Sequence, residues 1–190
     1  IGHSGIIEIH DVGEEQGTPY IVMELLEGTS LSALVKRQGR LAPEHVVAIA
    51  RQIADALQAA HDKGIVHRDI KSSNIMIDRR GEPIIMDFGL AWRMDSEGDP
   101  RLTHVGALVG SPAYMSPERL RKTADYESPA GDIYALGVVM YELLTGRLPF
   151  QGSGSLYSLL NKILKTEPID PLQLRPDLDP ELAAICLKAM

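Results

Sequence analysis

Four side chains in one short stretch have the chemistry to handle a proton and a hard cation at the same place. From Gly64 to Ala91 the chain reads "GIVHRDIKSSNIMIDRRGEPIIMDFGLA". Asp69 and Asp87 bring carboxylates and Asn74 an amide oxygen, the donor types that hard cations select. Lys71 adds a positive point charge to the same neighbourhood.

These groups are useful only if the surrounding elements gather them. The stretch itself reads as loops and short strands, "IVH", "NIMID" and "PIIMDF", with a turn at Gly81–Pro83 between the last two. Two strand-like runs come earlier, "GIIEIHDVG" and "TPYIVMELLEG". Ile7 and Ile9 alternate there with Glu8 and His10. The polar residues from Gly13 to Pro19 predict a turn, and so an antiparallel hairpin. A short helix is expected from about Ser30 to Arg37, stopped by Gly39. Pro43 suits the first turn of a long helix with an apolar face of Val46, Val47, Ile49, Ala50, Ile53, Ala54 and Leu57. Gly64 is the expected cap at its end.

Beyond the stretch, Met94 to Val109 has no periodicity and reads as a long loop, a kind that is usually functional. "AGDIYALGVVMYELLT" is apolar nearly all round and predicts a buried helix over 130–145. "GSGSLYSLLNKILKT" and "DPELAAICLKAM" predict two more, the last capped by Asp179 with Pro180 at its first position. The fold class is therefore α+β, a hairpin followed by a mainly helical body.

The totals narrow the function classes. With 190 residues the chain can bury a real core, and a net charge of −7 argues against a general nucleic-acid binder. Cys186 is the only cysteine, so no internal disulfide forms. No apolar run reaches membrane-spanning length. The chain starts without Met and heads directly into a strand, which suggests a beginning inside a larger protein.

The segments "HRDIKSSN" (67–74), "DFG" (87–89) and "SPE" (116–118), in that order, resemble the signature of the protein kinases. Lys71 resembles the serine/threonine branch. "AHDKGIVHRDIK" and "DIYALGVVMYELLTGRLPF" are similar to bacterial receptor-type members. The resemblance implies a protein-kinase-like fold, with residues 1–28 as the end of the N-terminal lobe and the hinge. Residues 29–190 are then the helical C-terminal lobe, cut before its last helix. It implies ATP and Mg2+ as cofactors, protein substrates with Ser or Thr acceptors, and a catalytic part in the cytoplasm. A homodimer for autophosphorylation and a membrane anchor elsewhere in the parent protein also fit the family.

Site roles follow residue by residue from the resemblance. Asp69 accepts the proton of the acceptor hydroxyl, Lys71 lies near the transferred phosphate, and Asn74 and Asp87 hold magnesium. Met23 is the gatekeeper, the Glu24 carbonyl and Leu26 N–H meet adenine, and Met76 forms the floor beneath it. Ser30 and Ser73 stand near the ribose. Leu90 to Glu118 is the activation segment, where a phosphate on Thr103 pairs with Arg68. Ser111 bonds Asp69 and Lys71, and Pro117 and Glu118 anchor the segment. His67 and Phe88, with Ile9, belong to an apolar column, and Asp132 accepts N–H bonds from the His67–Arg68 turn.

Two other classes compete. A small-molecule phosphotransferase shares the Asp, Asn, Asp skeleton but not the "SPE" segment. A pseudokinase scaffold shares the fold, although Asp69, Lys71, Asn74 and Asp87 are all present here. No Gly-rich phosphate loop, V-A-I-K lysine or partner glutamate helix precedes Ile1, and no arginine partner for Glu118 follows it, so the isolated chain is expected to be nearly inactive. "GSGSLY" lacks a third glycine and reads as a loop, "DSEGDP" lacks a calcium-loop pattern, and the six histidines show no metal spacing.

Overall fold

The computed structural model describes residues 1–88, 111–121, 128–152 and 155–190. The expectations placed on Gly89 and on the segment from Leu90 to Gly110, Thr103 among them, lie outside the described residues.

The chain opens with β1 (Ile9–Glu15) and β2 (Thr18–Met23), paired antiparallel with Glu15 opposite Thr18. The turn is therefore just Gln16-Gly17, at φ 52° and 79°. Two successive positive φ values are what a type I′ turn requires, and Gly17 accepts one without strain. The wider turn expected from Gly13 to Pro19 is largely paired strand instead. The alternation of apolar residues also misleads. Ile6 and Ile7 are both buried, whereas Ile9 is 46% exposed and Val12 65%. The reason is backbone: the Ile7 N–H donates to the Ile85 carbonyl at 3.0 Å and the Ile85 N–H to the Gly5 carbonyl at 2.8 Å. This clamps residues 5–7 onto a second sheet before the hairpin begins.

The second sheet has the order β3-β4-β5, all antiparallel, from β3 (Gly28–Ser30), β4 (Ile75–Asp78) and β5 (Pro83–Ile85). β3 was not expected. A Cβ on Gly28 would sit 2.2 Å from the Ile77 carbonyl oxygen, so no side chain fits there while the strands pair. Ser30 then does two things. It closes β3 opposite Met76, and its Oγ accepts from the Ala33 N–H at 3.3 Å to cap α1 (Leu31–Gln38).

The helix α2 (Pro43–His61) buries Val46, Ile49, Ala50, Ile53, Ala56, Leu57 and Ala60, a helical stripe. Val47 falls off that stripe and is 46% exposed. The helical span ends at His61, and Gly64 caps it as expected. At φ 71° the Gly64 N–H donates to the His61 carbonyl at 2.8 Å, and the Ile65 N–H folds back to the Ala60 carbonyl at 3.0 Å. Ile65–His67 is not the expected strand, because the Ile65 amide turns back to Ala60 and the His67 amide goes to the Asp132 carboxylate rather than to a neighbouring strand.

α3 (Pro117–Arg121) is short, and α4 (Ala130–Thr145) is the axis of the core. Val138, Val139 and Leu144 are wholly buried, and α4 packs against both α2 and the last helix. α5 (Leu156–Lys165), α6 (Pro171–Leu174) and α7 (Pro180–Ala189) complete the body. α6 and α7 share one device: Asp170 and Asp179 each cap a helix that starts with proline. The Asp170-Pro171 pair carried the same signal as Asp179-Pro180, so α6 was detectable. Buried Arg175 ties the body together by donating to the Leu41 and Leu144 carbonyls at 2.6 and 3.2 Å. The α+β fold class is as expected.

Candidate active site

The path from α2 to β4 carries His67 to Asn74, and its shape is imposed from below by one carboxylate. Asp132, 1% exposed on the first turn of α4, accepts three hydrogen bonds. The His67 N–H donates to its Oδ2 and the Arg68 N–H to its Oδ1, both at 2.8 Å. The His61 Nε2–H donates to Oδ2 at 2.8 Å as well. A buried carboxylate needs this degree of satisfaction. His61 was missed in the sequence; its only signal is a histidine at the end of a helix that must meet the same loop.

With its amide fixed, Arg68 takes φ 69°, and Asp87 takes φ 61°. Non-glycine residues in the left-handed region are uncommon and cluster at functional sites. The chain turns sharply at each, so Asp69 follows one such residue and Asp87 occupies the other. Register brings them together. The Met86 N–H donates to the Asn74 carbonyl at 2.8 Å, and the His67 Nε2–H donates to the Met86 carbonyl at 2.9 Å. Asp87 thus begins one residue from a direct bond to Asn74.

Asp69 is the centre of the polar cluster. The Lys71 Nζ donates to its Oδ2 at 2.6 Å, and the Asn74 Nδ2 donates to the same oxygen at 3.2 Å and to the Asp69 carbonyl at 3.0 Å. Its own N–H donates to His67 Nδ1 at 3.2 Å. The structure therefore brings Asp69, Lys71 and Asn74 into contact and sets Asp87 beside them. The Asp69 and Asp87 carboxylates both lie close enough to act electrostatically on the His67 ring.

That ring is neutral. Nδ1 accepts and Nε2 donates, which is a single tautomer. Burial pushes the His67 pKa below 6.5, partly opposed by the Met86 carbonyl and by Asp132, Asp69 and Asp87. Phe88 packs against it in a tilted contact, with ring centroids 4.5 Å apart and ring planes at 58°. Ile9, the expected third member of this column, is exposed instead. The sign of the pH effect follows. Between the lowered folded value and 6.5 the unfolded chain holds a proton that the folded chain does not. Stability should fall as pH drops through 6.5 and level off below the folded value, with a slope of at most about 1.4 kcal/mol per pH unit. Urea midpoints of wild type and His67→Phe from about pH 8 to about pH 5 check this. The variant should show the flatter profile.

The remaining candidates fall into two regions. Met23 ends β2, and Glu24 folds back on β1: its N–H donates to the Glu8 carbonyl at 3.0 Å, and its Oε1 accepts from the Glu8 N–H at 2.9 Å. Leu26 and Met76 are half-buried, and the Met76 side chain runs under Gly28 just beyond that segment. Ser30 spends its hydroxyl on the α1 cap, and Ser73 is exposed in the single 3-10 turn Ser72–Asn74.

In the other region Ser111, Tyr114, Met115 and Ser116 line the same cavity as Arg68, Asp69 and Asp132. The Ser111 hydroxyl makes no hydrogen bond to Asp69 or Lys71, contrary to expectation; those two groups satisfy each other. Glu118 was expected to stand uncompensated, but it does have a polar partner and lies near enough to the Tyr134 phenol to help raise its pKa to about 12, chiefly through burial. Arg119 Nη1 donates to the Arg68 carbonyl, a contact not foreseen.

Similarity to known proteins agrees with this geometry. The family described as protein kinase domain matches residues 1–187. The serine/threonine-protein kinase PrkC of Bacillus subtilis is 40% identical over 189 residues, covering 100% of this chain and 28% of the relative. PknB of Mycolicibacterium smegmatis is 36% identical over 195 residues, covering 100% and 30%. PknA of Mycobacterium tuberculosis is 41% identical over 187 residues, covering 96% and 41%. The chain thus spans well under half the length of these curated relatives.

Proposed function

The chain belongs to the protein kinase domain family, and from that premise we propose that the protein carrying it transfers the γ-phosphate of ATP to Ser or Thr hydroxyls of other proteins. The observation that carries this reading is the contact set around Asp69, with Lys71 and Asn74 on one carboxylate oxygen and Asp87 one residue from the Asn74 pairing.

In this reading residues 1–28 close one lobe and form the hinge, and residues 29–190 form most of the other. Met23, Glu24 and Leu26 meet the adenine, with Met76 beneath it. Asp69 receives the acceptor proton as the acceptor oxygen bonds to the γ-phosphorus; the bond from that phosphorus to the bridging oxygen breaks, and ADP leaves. Lys71, held at 2.6 Å from Asp69, offsets charge on the group in transit.

The donor set fits magnesium. Among the described residues no three His, Cys, Asp or Glu side chains converge, but Mg2+ is commonly held by one or two protein oxygens plus water and phosphate. The Asp87 carboxylate and the Asn74 amide oxygen supply two. When bound, the ion neutralises phosphate charge. Asn74 Nδ2 points to Asp69, which turns its oxygen to the other side.

Arg68 is the partner for a phosphate on Thr103, and a second copy of the protein is a natural catalyst for its transfer there from ATP. Use of ATP sets this part of the protein in the cytoplasm; among the described residues no helix is long and apolar enough to cross a membrane.

The test is transfer of labelled γ-phosphate by the purified full-length protein to a protein acceptor. The expected products are phosphoserine and phosphothreonine, lost on chelation of Mg2+. Phosphotyrosine alone would overturn the branch assignment. Tight ATP binding without transfer would favour a binding scaffold.

A further inference from the structure

The phosphotransfer reading leaves one buried polar chain unused. Ser72 stands between Lys71 and Asn74 in sequence, is 1% exposed, and has its Oγ 3.0 Å from the Tyr114 phenol oxygen. That phenol donates to Glu142 Oε2 at 2.7 Å. The direction of the chain is fixed by its end. A carboxylate can only accept, so the phenol proton belongs to the Glu142 bond, and the phenol oxygen accepts from the Ser72 hydroxyl. Burial and the Glu142 charge keep the phenol protonated by raising its pKa. A hydroxyl chain ending on a carboxylate is stronger than neutral pairs alone.

Its three members sit on three separate pieces. Ser72 is on the loop that carries Asp69, Tyr114 is in the turn Pro112–Tyr114, and Glu142 is on the core helix α4. Tyr114 and Ser111 also line the cavity that holds Asp69. We infer that Ser72 is a positioning residue: its hydroxyl, through Tyr114 and Glu142, fixes the segment 111–116 against the Asp69 loop and so sets where an acceptor chain rests. The kinetic half of this rests on the phosphotransfer reading; the structural half does not.

The experiment uses the full-length protein and has two arms. Hydrogen exchange follows the Tyr114 and Met115 amides, which donate to the Ser111 and Pro112 carbonyls. Ser72→Ala should speed their exchange while leaving α2 unchanged; equal rates in variant and wild type overturn the link. Steady-state kinetics then separate acceptor from nucleotide. Ser72→Ala should raise the KM for an acceptor peptide about five- to tenfold, the effect of one buried hydrogen bond, with the KM for ATP unchanged. In a Tyr114→Phe background, where the link is already gone, Ser72→Ala should move the acceptor KM less than about twofold. An unchanged acceptor KM, a parallel rise for ATP, or a full effect in that background overturns the positioning role. A wild-type protein that transfers no phosphate removes the phosphotransfer reading and the kinetic role with it, and the exchange arm still decides the link.

Discussion

Asp69→Asn in the full-length protein should lower the rate of phosphate transfer about 10²–10⁴-fold, the usual contribution of a positioned proton acceptor. The substitution is close to isosteric, so the expected loss is chemical. An amide cannot take the acceptor proton, although its oxygen, with two lone pairs, can still accept from both Lys71 and Asn74. Both donate to one Asp69 oxygen, at 2.6 and 3.2 Å. An asparagine that keeps its oxygen there places its own NH2 where the second carboxylate oxygen stood. The KM for ATP should stay within about twofold, because Asp69 is not the group that holds the nucleotide in this reading. Single-turnover transfer with saturating ATP and acceptor isolates the step. A loss of less than about tenfold would remove Asp69 from the proton path.

The site was readable to the extent that its parts are close in sequence. Asp69, Lys71 and Asn74 lie on one loop, and the β4–β5 hairpin returns the chain to Asp87, so a short linear pattern contains the cluster. Asp132 lies far along the chain but left a trace, a carboxylate in the first turn of a helix that is otherwise apolar. Ser72, Tyr114 and Glu142 left none, and His61 only its place at the end of a helix. Each is an ordinary polar residue in its local context, and only the packing of α2, α4 and the 111–116 segment unites them. The errors in secondary structure share a cause. Ile65–His67 has the composition of a strand, but Asp132 takes the amides of His67 and Arg68. Ile6 and Ile7 break the alternation because a bridge to Ile85 covers that piece of chain. β3 is three residues long, too short to show a period.

Asp132 should therefore show the largest stability effect of any single carboxylate in the described chain. Asp132→Ala leaves the His67 and Arg68 amides and the His61 Nε2–H without their acceptor, in a place with 1% exposure. Removing one partner from a buried charged group typically costs about 3–5 kcal/mol. Asp179→Ala is the natural comparison, since it also removes a carboxylate that accepts a backbone N–H, at 2.7 Å from Glu181. As a surface helix cap it should cost about 1 kcal/mol. Urea unfolding at constant m-value distinguishes the two. Asp132→Asn sharpens the test, because its volume is nearly unchanged. Its oxygen can replace Oδ2, which serves two donors, but its NH2 then faces the Arg68 N–H, donor against donor. The expected cost is about 1–3 kcal/mol for that unsatisfied amide, together with a loss of transfer, because the bond that holds Arg68 at φ 69° also aims Asp69. Equal destabilisation by Asp132→Ala and Asp179→Ala would show that Asp132 is only a helix cap, and the loop that presents Asp69 would need another anchor.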